Sequence, residues 1–347
     1  MKIKNIISFV LAAASLSSCF VNEKIAPDAV DTGIWYNLAP VKDEVQTKAI
    51  QQYDGTFGSY AFLFPEGMTY DTDKESAAVS EYISNAKIEK VGGVWKCATQ
   101  MYSWPTSGSL TFISYAPYEL SSQAGFSCTA AEGVKIPNFV LPDTIGNTES
   151  EYDILIAETA KDLTANVNPG RYFTKGVPTL FKHKLSKVSI KAHLNNELES
   201  GEYVRITSIQ LFNIYRGGNF DGSKWTGLGN EADFSKITFE GDSGNLTLAS
   251  TTLFAPTLMM PQPTSKSGRT EAPKIIVEYE TRVGGVTETK TAELDLYNGP
   301  ASLAAWEMGK DIIYNISIST KDEYIEFNAS YTAWEEEVMN PDINVGL

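Results

Sequence analysis

The side chains that most often carry out chemistry in proteins are scarce in this sequence, which has three cysteines and two histidines in 347 residues. Neither His183 nor His193 has a nucleophile motif near it, and no metalloprotease, phosphate-binding or dinucleotide-binding motif occurs. His183 alternates with Phe181 and Leu185, so we interpret it as a packed strand residue and not as a general base. A zinc site needs more ligands than these scattered residues supply. We expect no metal and no cofactor.

A few other residues could bind ligands without forming a recognised motif. Carboxylates are abundant enough to leave a glycosidase pair open, but no local pattern nominates one. The turn 219–223 could ligate a cation, although it lacks the spacing of an EF-hand. Four aromatic residues could stack on sugars or fill a core, and we favour the core: Trp95, Tyr102, Trp104 and Trp225. The sequence nominates no active site, and we expect that the protein is not an enzyme.

The N-terminus has the pattern of an export signal. Lys2 and Lys4 are positive, and residues 6–14 form an apolar run that is too short to span a bilayer, which takes about 20 residues. Residues 16–19, Leu-Ser-Ser-Cys, match the bacterial lipobox, in which the signal is cut before the cysteine and the cysteine is acylated. We therefore expect Cys19 to be the lipidated first residue of the mature chain. The alternative is an ordinary signal with an incidental cysteine.

Composition limits the class of protein. The net charge is -15, with 20% charged and 42% apolar residues, which is typical of an acidic globular protein. Such a surface repels nucleic acid and anionic lipid, and we exclude both as partners. The length after Cys19 suits two domains. Cys97 and Cys128 could form a disulfide or remain buried free thiols, and we favour free thiols because no further cysteine pattern is present.

Alternation of polar and apolar residues with a period of two predicts strands along most of the chain. In 311–318 the even positions are apolar, and after a polar turn the odd positions of 325–333 take over, which predicts a hairpin. Two Gly-Gly pairs predict further hairpins over 87–96 and 274–297, because glycine adopts the positive φ of tight turns. Many short strands separated by turns favour an all-β protein made of β-sandwiches.

The remaining segments complete this picture. Further strand candidates are 60–64, 110–115, 152–157, 204–215 and 253–260. Helical periodicity is modest and confined to 74–85 and 301–307. Within 181–192 the apolar positions change from odd to even, which predicts a β-bulge or a switch of the chain between sheets. We place a domain boundary between residues 165 and 180.

Several segments together resemble the fimbrillin family, the subunits of type V pili of Gram-negative anaerobes. The segments are MYSWP at 101–105, LTFISYAP at 110–117, DILIA at 153–157, residues 181–190, LMMPQ at 258–262, GKDIIY at 309–314 and the ending 325–334. They span about residues 60 to 334, and the minor-fimbrillin-like branch is the most similar. Each match is short, and it is their number and order that make the resemblance specific.

The resemblance implies two transthyretin-like, Greek-key β-sandwich domains in tandem, which agrees with the strand pattern. It also implies export as a lipoprotein and removal of an N-terminal segment by an outer-membrane protease that often cuts after arginine. Here Thr47, Lys48 and Ala49 stand at the corresponding place, so a cut before Ala49 needs a protease that accepts lysine. The alternative is a plain linker lysine and no cleavage.

The mechanism that the resemblance implies is donor-strand exchange, in which a removed strand leaves a groove that a neighbouring subunit's C-terminal strand fills. The displaced strand is expected within 34–41, through the residues Ile34, Trp35, Tyr36, Leu38 and Val41. The donor is expected within 324–334 with the tail to residue 347, through the residues Ile325, Phe327, Ala329, Tyr331, Ala333 and Trp334.

One leading hypothesis and one alternative follow. The first is a structural or adhesive subunit of a cell-surface fimbria, polymerised with copies of itself or with other pilus subunits and carried to the outer membrane by its lipid. The alternative is a surface lipoprotein or tip adhesin that binds host glycan or protein without polymerising. The expected parts are a signal peptide (1–18), a lipidated segment that a protease can remove (19–48), an N-terminal sandwich (49–175) and a C-terminal sandwich with the donor tail (176–347).

Overall fold

The computed structural model describes residues 33–38, 53–146, 152–164, 176–298, 302–321 and 324–334. Most of these residues lie in β-strands, and the helices among them are short: an α-helix at Tyr70–Asp73 and two 3-10 helices at Tyr118–Ser122 and Gly241–Gly244. The all-β prediction is therefore confirmed. The division of the chain into two tandem sandwich domains stays a prediction.

The strands are numbered along the described part of the chain. The first twelve are β1 (Tyr36–Asn37), β2 (Phe57–Phe64), β3 (Ser80–Val91), β4 (Val94–Cys97), β5 (Ser109–Ala116), β6 (Ser127–Thr129), β7 (Gly133–Val140), β8 (Leu155–Ala157), β9 (Ala160–Leu163), β10 (Val177–Pro178), β11 (Phe181–His183) and β12 (Ser186–Leu194). The others are β13 (Tyr203–Phe212), β14 (Ile214–Phe220), β15 (Trp225–Ala232), β16 (Ile237–Thr238), β17 (Thr251–Met259), β18 (Gln262–Pro263), β19 (Lys274–Val283), β20 (Val286–Asp295), β21 (Ala305–Trp306), β22 (Lys310–Ser319) and β23 (Tyr324–Ala333).

The largest sheet has the order β10-β1-β4-β3-β2-β5-β8-β11, with β9 also paired to β5. Its central strands β2 and β5 are covered on both faces, so they are buried almost throughout. Phe57 and Phe112 point into one core, which they share with Ile83 and Phe181. The alternate residues of β2 and β5 point into a different core on the other face of the sheet.

Two four-stranded sheets, β17-β12-β22-β23 and β16-β13-β19-β20, enclose a second core. The first of them is built around the parallel pair β12–β22, which stays in register from Lys187 opposite Asp311 to Leu194 opposite Ile318. Both sheets present alternating apolar residues to the core, as expected of a sandwich. Strands β23 and β20 form edges of these two sheets.

A further sheet, β15-β14-β7-β6, joins strands that are far apart in sequence. Gly217 of β14 lies opposite Val140 of β7, and the sheet covers a third core beneath the second face of the large sheet. This core contains residues from both halves of the chain, among them Phe62, Ile136 and Phe220. The sequence did not predict this pairing, because the alternation within a strand carries no information about its partner.

The predicted hairpins are confirmed. The pairs β3–β4, β19–β20 and β22–β23 are antiparallel neighbours, and the glycines of both Gly-Gly turns have positive φ. The change of phase within 181–192 is a switch between sheets. Strand β11 pairs with β8 in the large sheet, whereas β12 pairs with β17 and β22 in the sandwich.

The helical predictions are wrong. Strand β3 occupies the second half of 74–85, and its buried residues Ile83, Ala86 and Ile88 have an irregular spacing because a β-bulge interrupts the alternation. Asn85 in that bulge has a φ of 41°, and the extra residue produces a spacing of three that resembles a helix. Within 301–307, the described residues form the short strand β21 and no helix.

Two strand predictions are also adjusted. The candidate 204–215 is two strands, because Asn213 with a φ of 58° separates β13 from β14. In the candidate 152–157, only Leu155–Ala157 is a strand. The local alternation located both segments correctly, but it could not place the break that lets the chain leave one sheet and enter another.

A hydrogen bond between two aromatic side chains lies inside the second core and gives the first testable prediction. Trp306 Nε1 donates to the buried Tyr314 hydroxyl at 2.8 Å, and burial raises the pKa of Tyr314. Tyr314→Phe would leave the Trp306 N–H buried without an acceptor, so we expect the free energy of unfolding to fall by about 1–3 kcal/mol. Chemical denaturation measures it. Tyr331→Phe is the control, since Tyr331 is 55% exposed, and an equal loss in both variants would contradict this explanation.

Candidate functional site: the β1 groove and the C-terminal strand

The segment predicted to be displaced forms the short strand β1, which lies between β4 and β10. Tyr36 lies opposite Trp95 of the antiparallel strand β4 and opposite Val177 of the parallel strand β10. The backbone hydrogen bonds of the segment include Ile34 N to Tyr102 O at 2.7 Å, Val177 N to Trp35 O at 2.7 Å and Thr179 N to Asn37 O at 3.0 Å. The segment is therefore bound to neighbours on both of its sides.

Alternate residues of this segment point into the core. Ile34, Tyr36 and Leu38 are buried, whereas Trp35 and Asn37 are half-buried on the other side. The Tyr36 ring meets Phe57 and Phe112 edge to face, with centroids 5.4 and 6.0 Å apart. The groove thus has three apolar pockets at the two-residue spacing of a strand. Val41, the last residue of the predicted set, lies outside the described residues.

The middle pocket contains a polar atom that is poorly satisfied. Tyr36 is 2% exposed, and among the described residues its hydroxyl has no partner at full hydrogen-bond geometry, with only a weaker interaction from the Ser59 side chain. Burial raises the pKa of the Tyr36 hydroxyl, and the Ser59 side chain opposes this rise only in part. The Ser59 hydroxyl is itself the acceptor of a hydrogen bond from Ser114 at 2.9 Å. Burying a hydroxyl without a partner costs free energy, so β1 fits its groove imperfectly.

Removal of this hydroxyl gives the second prediction. Tyr36→Phe keeps the ring and its edge contacts but removes the buried polar atom, so we expect the free energy of unfolding to rise by about 1 kcal/mol. Chemical denaturation of the full chain measures the effect. The comparison variant is Tyr314→Phe, which makes the same substitution at a tyrosine whose hydroxyl accepts a hydrogen bond. If both variants lose stability to a similar extent, the Tyr36 hydroxyl has a partner and the explanation is wrong.

The predicted donor region forms β23, an edge strand paired with β22. Ile325, Phe327 and Ala329 are half-buried against the second core, and the Phe327 ring stacks on Tyr314 with centroids 5.1 Å apart. The alternation predicted that Tyr331 and Ala333 share this half-buried face, but both are exposed. They lie toward the end of an edge strand, where Lys310 Nζ is 5.5 Å from the centroid of the Tyr331 ring.

Trp334, directly after β23, is held by a cluster that we call the Trp334 clamp: Asp153, His183, Lys187 and Trp334. The indole is 4% exposed and stacks on the His183 ring at 3.8 Å, with the planes 4° apart. Lys187 Nζ lies 4.5 Å from the indole centroid. His183 Nδ1 and Asp153 Oδ2 share a buried hydrogen bond of 2.6 Å. His183 is thus a packed strand residue, as its alternation with apolar neighbours indicated.

The clamp gives the third prediction. Trp334→Ala removes the stacking partner of His183 at the end of an edge strand, so we expect local loss of structure in β23 before the rest of the sandwich is affected. Relative to the wild type, the Trp334→Ala variant should show a larger increase in hydrogen–deuterium exchange at β23 amides than at β12 amides of the same sheet. Tyr331→Ala is the control on the same strand. Uniform acceleration in both strands would show that Trp334 has only a general role in stability.

The other candidate binding residues belong to the protein interior or to local turns. Trp95, Trp104 and Trp225 are buried and Tyr102 is half-buried, so the core interpretation is confirmed and these rings are not available to stack on sugars. Backbone hydrogen bonds from Lys224 and Ser223 lower the pKa of Asp221, which therefore serves its own turn.

Thiols and charged clusters give no sign of chemistry in the described ranges. Cys97 is a half-buried free thiol, and Cys128 is a buried one whose pKa is raised by burial. Among the described residues, no group of three or more histidine, cysteine or acidic side chains could hold a metal ion. That same part of the chain contains no helix long and apolar enough to cross a membrane. Cys19, Lys48 and Ala49 lie outside the described residues.

The Trp334 clamp is the feature that sequence reasoning missed. His183 and Trp334 were each noticed, but Asp153 is 30 residues from His183 and no spacing rule connects them. Their meeting depends on β11 and β8 being neighbours in the large sheet. The sequence contained one weak signal for this cluster: His183 occupies a core-facing position, and a buried imidazole needs a polar partner.

The fold and this site define the class of protein: an all-β, multi-sheet protein with a short inserted strand and a C-terminal edge strand. The family model described as "Fimbrillin-like" matches residues 67–334, which is most of the chain, and the chain therefore belongs to the fimbrillin-like family. Members of this family are structural and adhesive proteins of the cell-surface fimbrium and not enzymes. No curated protein sequence matches the chain.

Two solved structures illustrate the likeness in fold. A fimbrial protein from Bacteroides vulgatus is 19% identical with a TM-score of 0.61, and the match covers 87% of this chain and 99% of that one. A protein from Bacteroides uniformis whose proposed role is cell adhesion is 16% identical with a TM-score of 0.50, covering 88% of this chain and 100% of the other. At these identities the likeness concerns the fold alone.

Proposed function

We propose that the protein is a structural subunit of a cell-surface fimbria, exported as a lipoprotein and assembled by protease-triggered donor-strand exchange. The observation that carries the proposal is the family match over residues 67–334. Membership supports a fimbrial or adhesive role. Export as a lipoprotein is proposed from the N-terminal sequence, and the assembly step is the one that the family resemblance implies. The partners are other pilus subunits, identical or related.

The lipoprotein step rests on the N-terminal sequence. The lipobox at 16–19 follows a charged start and a short apolar run, which supports acylation of Cys19 and transport to the outer membrane. Lysine at position 48 followed by Ala49 is the proposed cleavage site. A cut there would separate β1 and the acylated cysteine from the rest of the chain in one step, because both precede it in the sequence.

The assembly step rests on the position of β1. The segment contributes three buried side chains to the core, and its two-residue strand lies between β4 and β10. After its removal, β4 and β10 would present unpaired backbone groups beside three empty apolar pockets. A strand from another subunit could satisfy both, which is β-augmentation. Glycan binding through the tryptophans that the sequence nominated is not supported, because Trp95, Trp104 and Trp225 are buried.

The fourth prediction tests the trigger. In cells that produce the protein, we expect the surface form to begin at Ala49 and to run as SDS-resistant ladders. Lys48→Ala should retain acylated Cys19 and remain monomeric, because β1 still fills its groove. N-terminal sequencing and unboiled gels measure the two properties, and Lys42→Ala is the control for loss of a nearby lysine. An intact acylated Cys19 with a strictly monomeric wild-type protein would refute polymerisation.

A further inference from the structure

Strand β20 is a long exposed edge of the sandwich. Among the described residues it pairs with β19 and with no other strand, through ten consecutive residue pairs without a register shift. Proteins commonly protect such an edge with a short strand, a proline or a β-bulge. Strand β20 has none of these three features, since its ten residues read VTETKTAELD. Its free side therefore suits the addition of another strand.

The turn before β20 shows which backbone groups lie on the free side. The two-residue turn 284–285 makes Val283 and Val286 a hydrogen-bonded pair, and such pairs recur at every second residue of an antiparallel hairpin. Even-numbered residues of β20 therefore bond to β19, whereas the N–H and C=O groups of odd-numbered residues point away from it. The odd-numbered residues at the centre of the strand are Thr287, Thr289 and Thr291.

The charge pattern of β20 fits a second copy of the same strand. Glu288 and Lys290 lie on one face, on either side of Thr289, with Lys290 Nζ 3.0 Å from Glu288 Oε2. If two copies of β20 pair in the antiparallel direction about a twofold axis at Thr289, Glu288 of each copy lies opposite Lys290 of the other. Both of these pairs occupy non-hydrogen-bonded positions, where opposed side chains approach most closely and unlike charges stabilise the pairing.

The same charges act against the neighbouring registers. Moving the axis from Thr289 to position 288 puts two glutamates directly opposite each other. Moving it to position 290 does the same with two lysines. Like charges directly opposed in a strand pair are destabilising, so the register about Thr289 is the one that the sequence of β20 selects.

The other opposed pairs in this register are compatible as well. Val286, which is 61% exposed, lies opposite Ala292 of the second copy and becomes partly covered. Glu293 lies opposite Gly285, so it does not meet another acidic residue. On the outer face of the sheet, threonine lies opposite threonine, a pairing that favours strand association.

We propose that β20 is a self-association surface, at which two copies of this chain pair in the antiparallel direction about Thr289. The contact is isologous and joins the two four-stranded sheets β16-β13-β19-β20 into one continuous sheet. It uses neither β1 nor β23, so it goes beyond the proposed function and requires no cleavage. In a fimbria, where each subunit carries the same edge, the contact joins neighbouring filaments side by side.

Single cysteines at matched threonines test the register in the full chain. The background is Cys97→Ser with Lys48→Ala, which removes a half-buried thiol and the proposed cleavage site. Thr289→Cys should give a disulfide-linked dimer when cells are oxidised, because the two copies of position 289 face each other with Cα atoms about 5.5 Å apart. Non-reducing denaturing gels measure the dimer, which should disappear on reduction.

Two further positions are the controls. Thr287→Cys and Thr291→Cys should each fail to cross-link alone, because each position lies opposite the other and far from its own copy. The combination of Thr287→Cys with Thr291→Cys should give the dimer again. All three threonines are exposed, so none of these changes disturbs a core.

Other outcomes overturn the proposal. A dimer from either control substitution alone would show a different register. No dimer from Thr289→Cys or from the combined variant would show that Glu288 and Lys290 keep exposed edges apart, which is a common role of charges on an edge strand. None of these results depends on SDS-resistant ladders in the wild type, so failure of the proposed function remains distinguishable from failure of this contact.

Charge reversal gives an independent measurement without cysteines. Glu288→Lys and Lys290→Glu each put like charges opposite one another at both pairs of the dimer, so each should weaken dimerisation about tenfold. The double variant should restore it, because the unlike pairs are re-formed with the charges exchanged. Sedimentation of the Lys48→Ala full chain in mild detergent measures the dimer, which a contact between exposed edges does not maintain in SDS. Weakening without rescue would show that the two residues do not meet.

Discussion

The large sheet depends on a backbone constraint: the gap between β4 and β10 has to contain a strand. Strand β10 pairs with no other strand in the described residues, and β4 pairs only with β3 on its other side. Without an occupant, backbone N–H and C=O groups would lose their partners and the aromatic pocket around Phe57 and Phe112 would open to water. The two-residue strand β1 meets this requirement, and its buried side chains complete the core beneath it.

Buried polar groups are satisfied to different degrees in different parts of the described structure. In the second core, the Tyr314 hydroxyl accepts a hydrogen bond from Trp306, and in the Trp334 clamp Asp153 satisfies one nitrogen of His183. Tyr36 has no comparable partner among the described residues. A side chain that leaves a polar atom unsatisfied contributes less to stability than its burial suggests.

The three cores are connected through elements that cross between them. The segment from β11 to β12 leaves the large sheet and enters the sandwich, and β14 pairs with β7 from the other half of the chain. Residues of β23 pack against the second core, and Trp334, which directly follows β23, packs in the third core. A change in β23 or Trp334 would therefore affect the packing of two cores. This arrangement links the C-terminal edge strand physically to the rest of the protein.

The sequence by itself determined the all-β class and the hairpins at the Gly-Gly turns, because alternation and turn chemistry are local properties. It also located the change of sheet near residue 184, since a strand cannot change phase without a bulge or a break. The helix predicted over 74–85 was wrong, because the bulge at Asn85 in β3 is fixed by pairing with β2. Only the tertiary structure decided that β7 meets β14 and that Asp153 meets His183. These are contacts between residues distant in the chain, and no local pattern specifies which surfaces meet when the sheets pack.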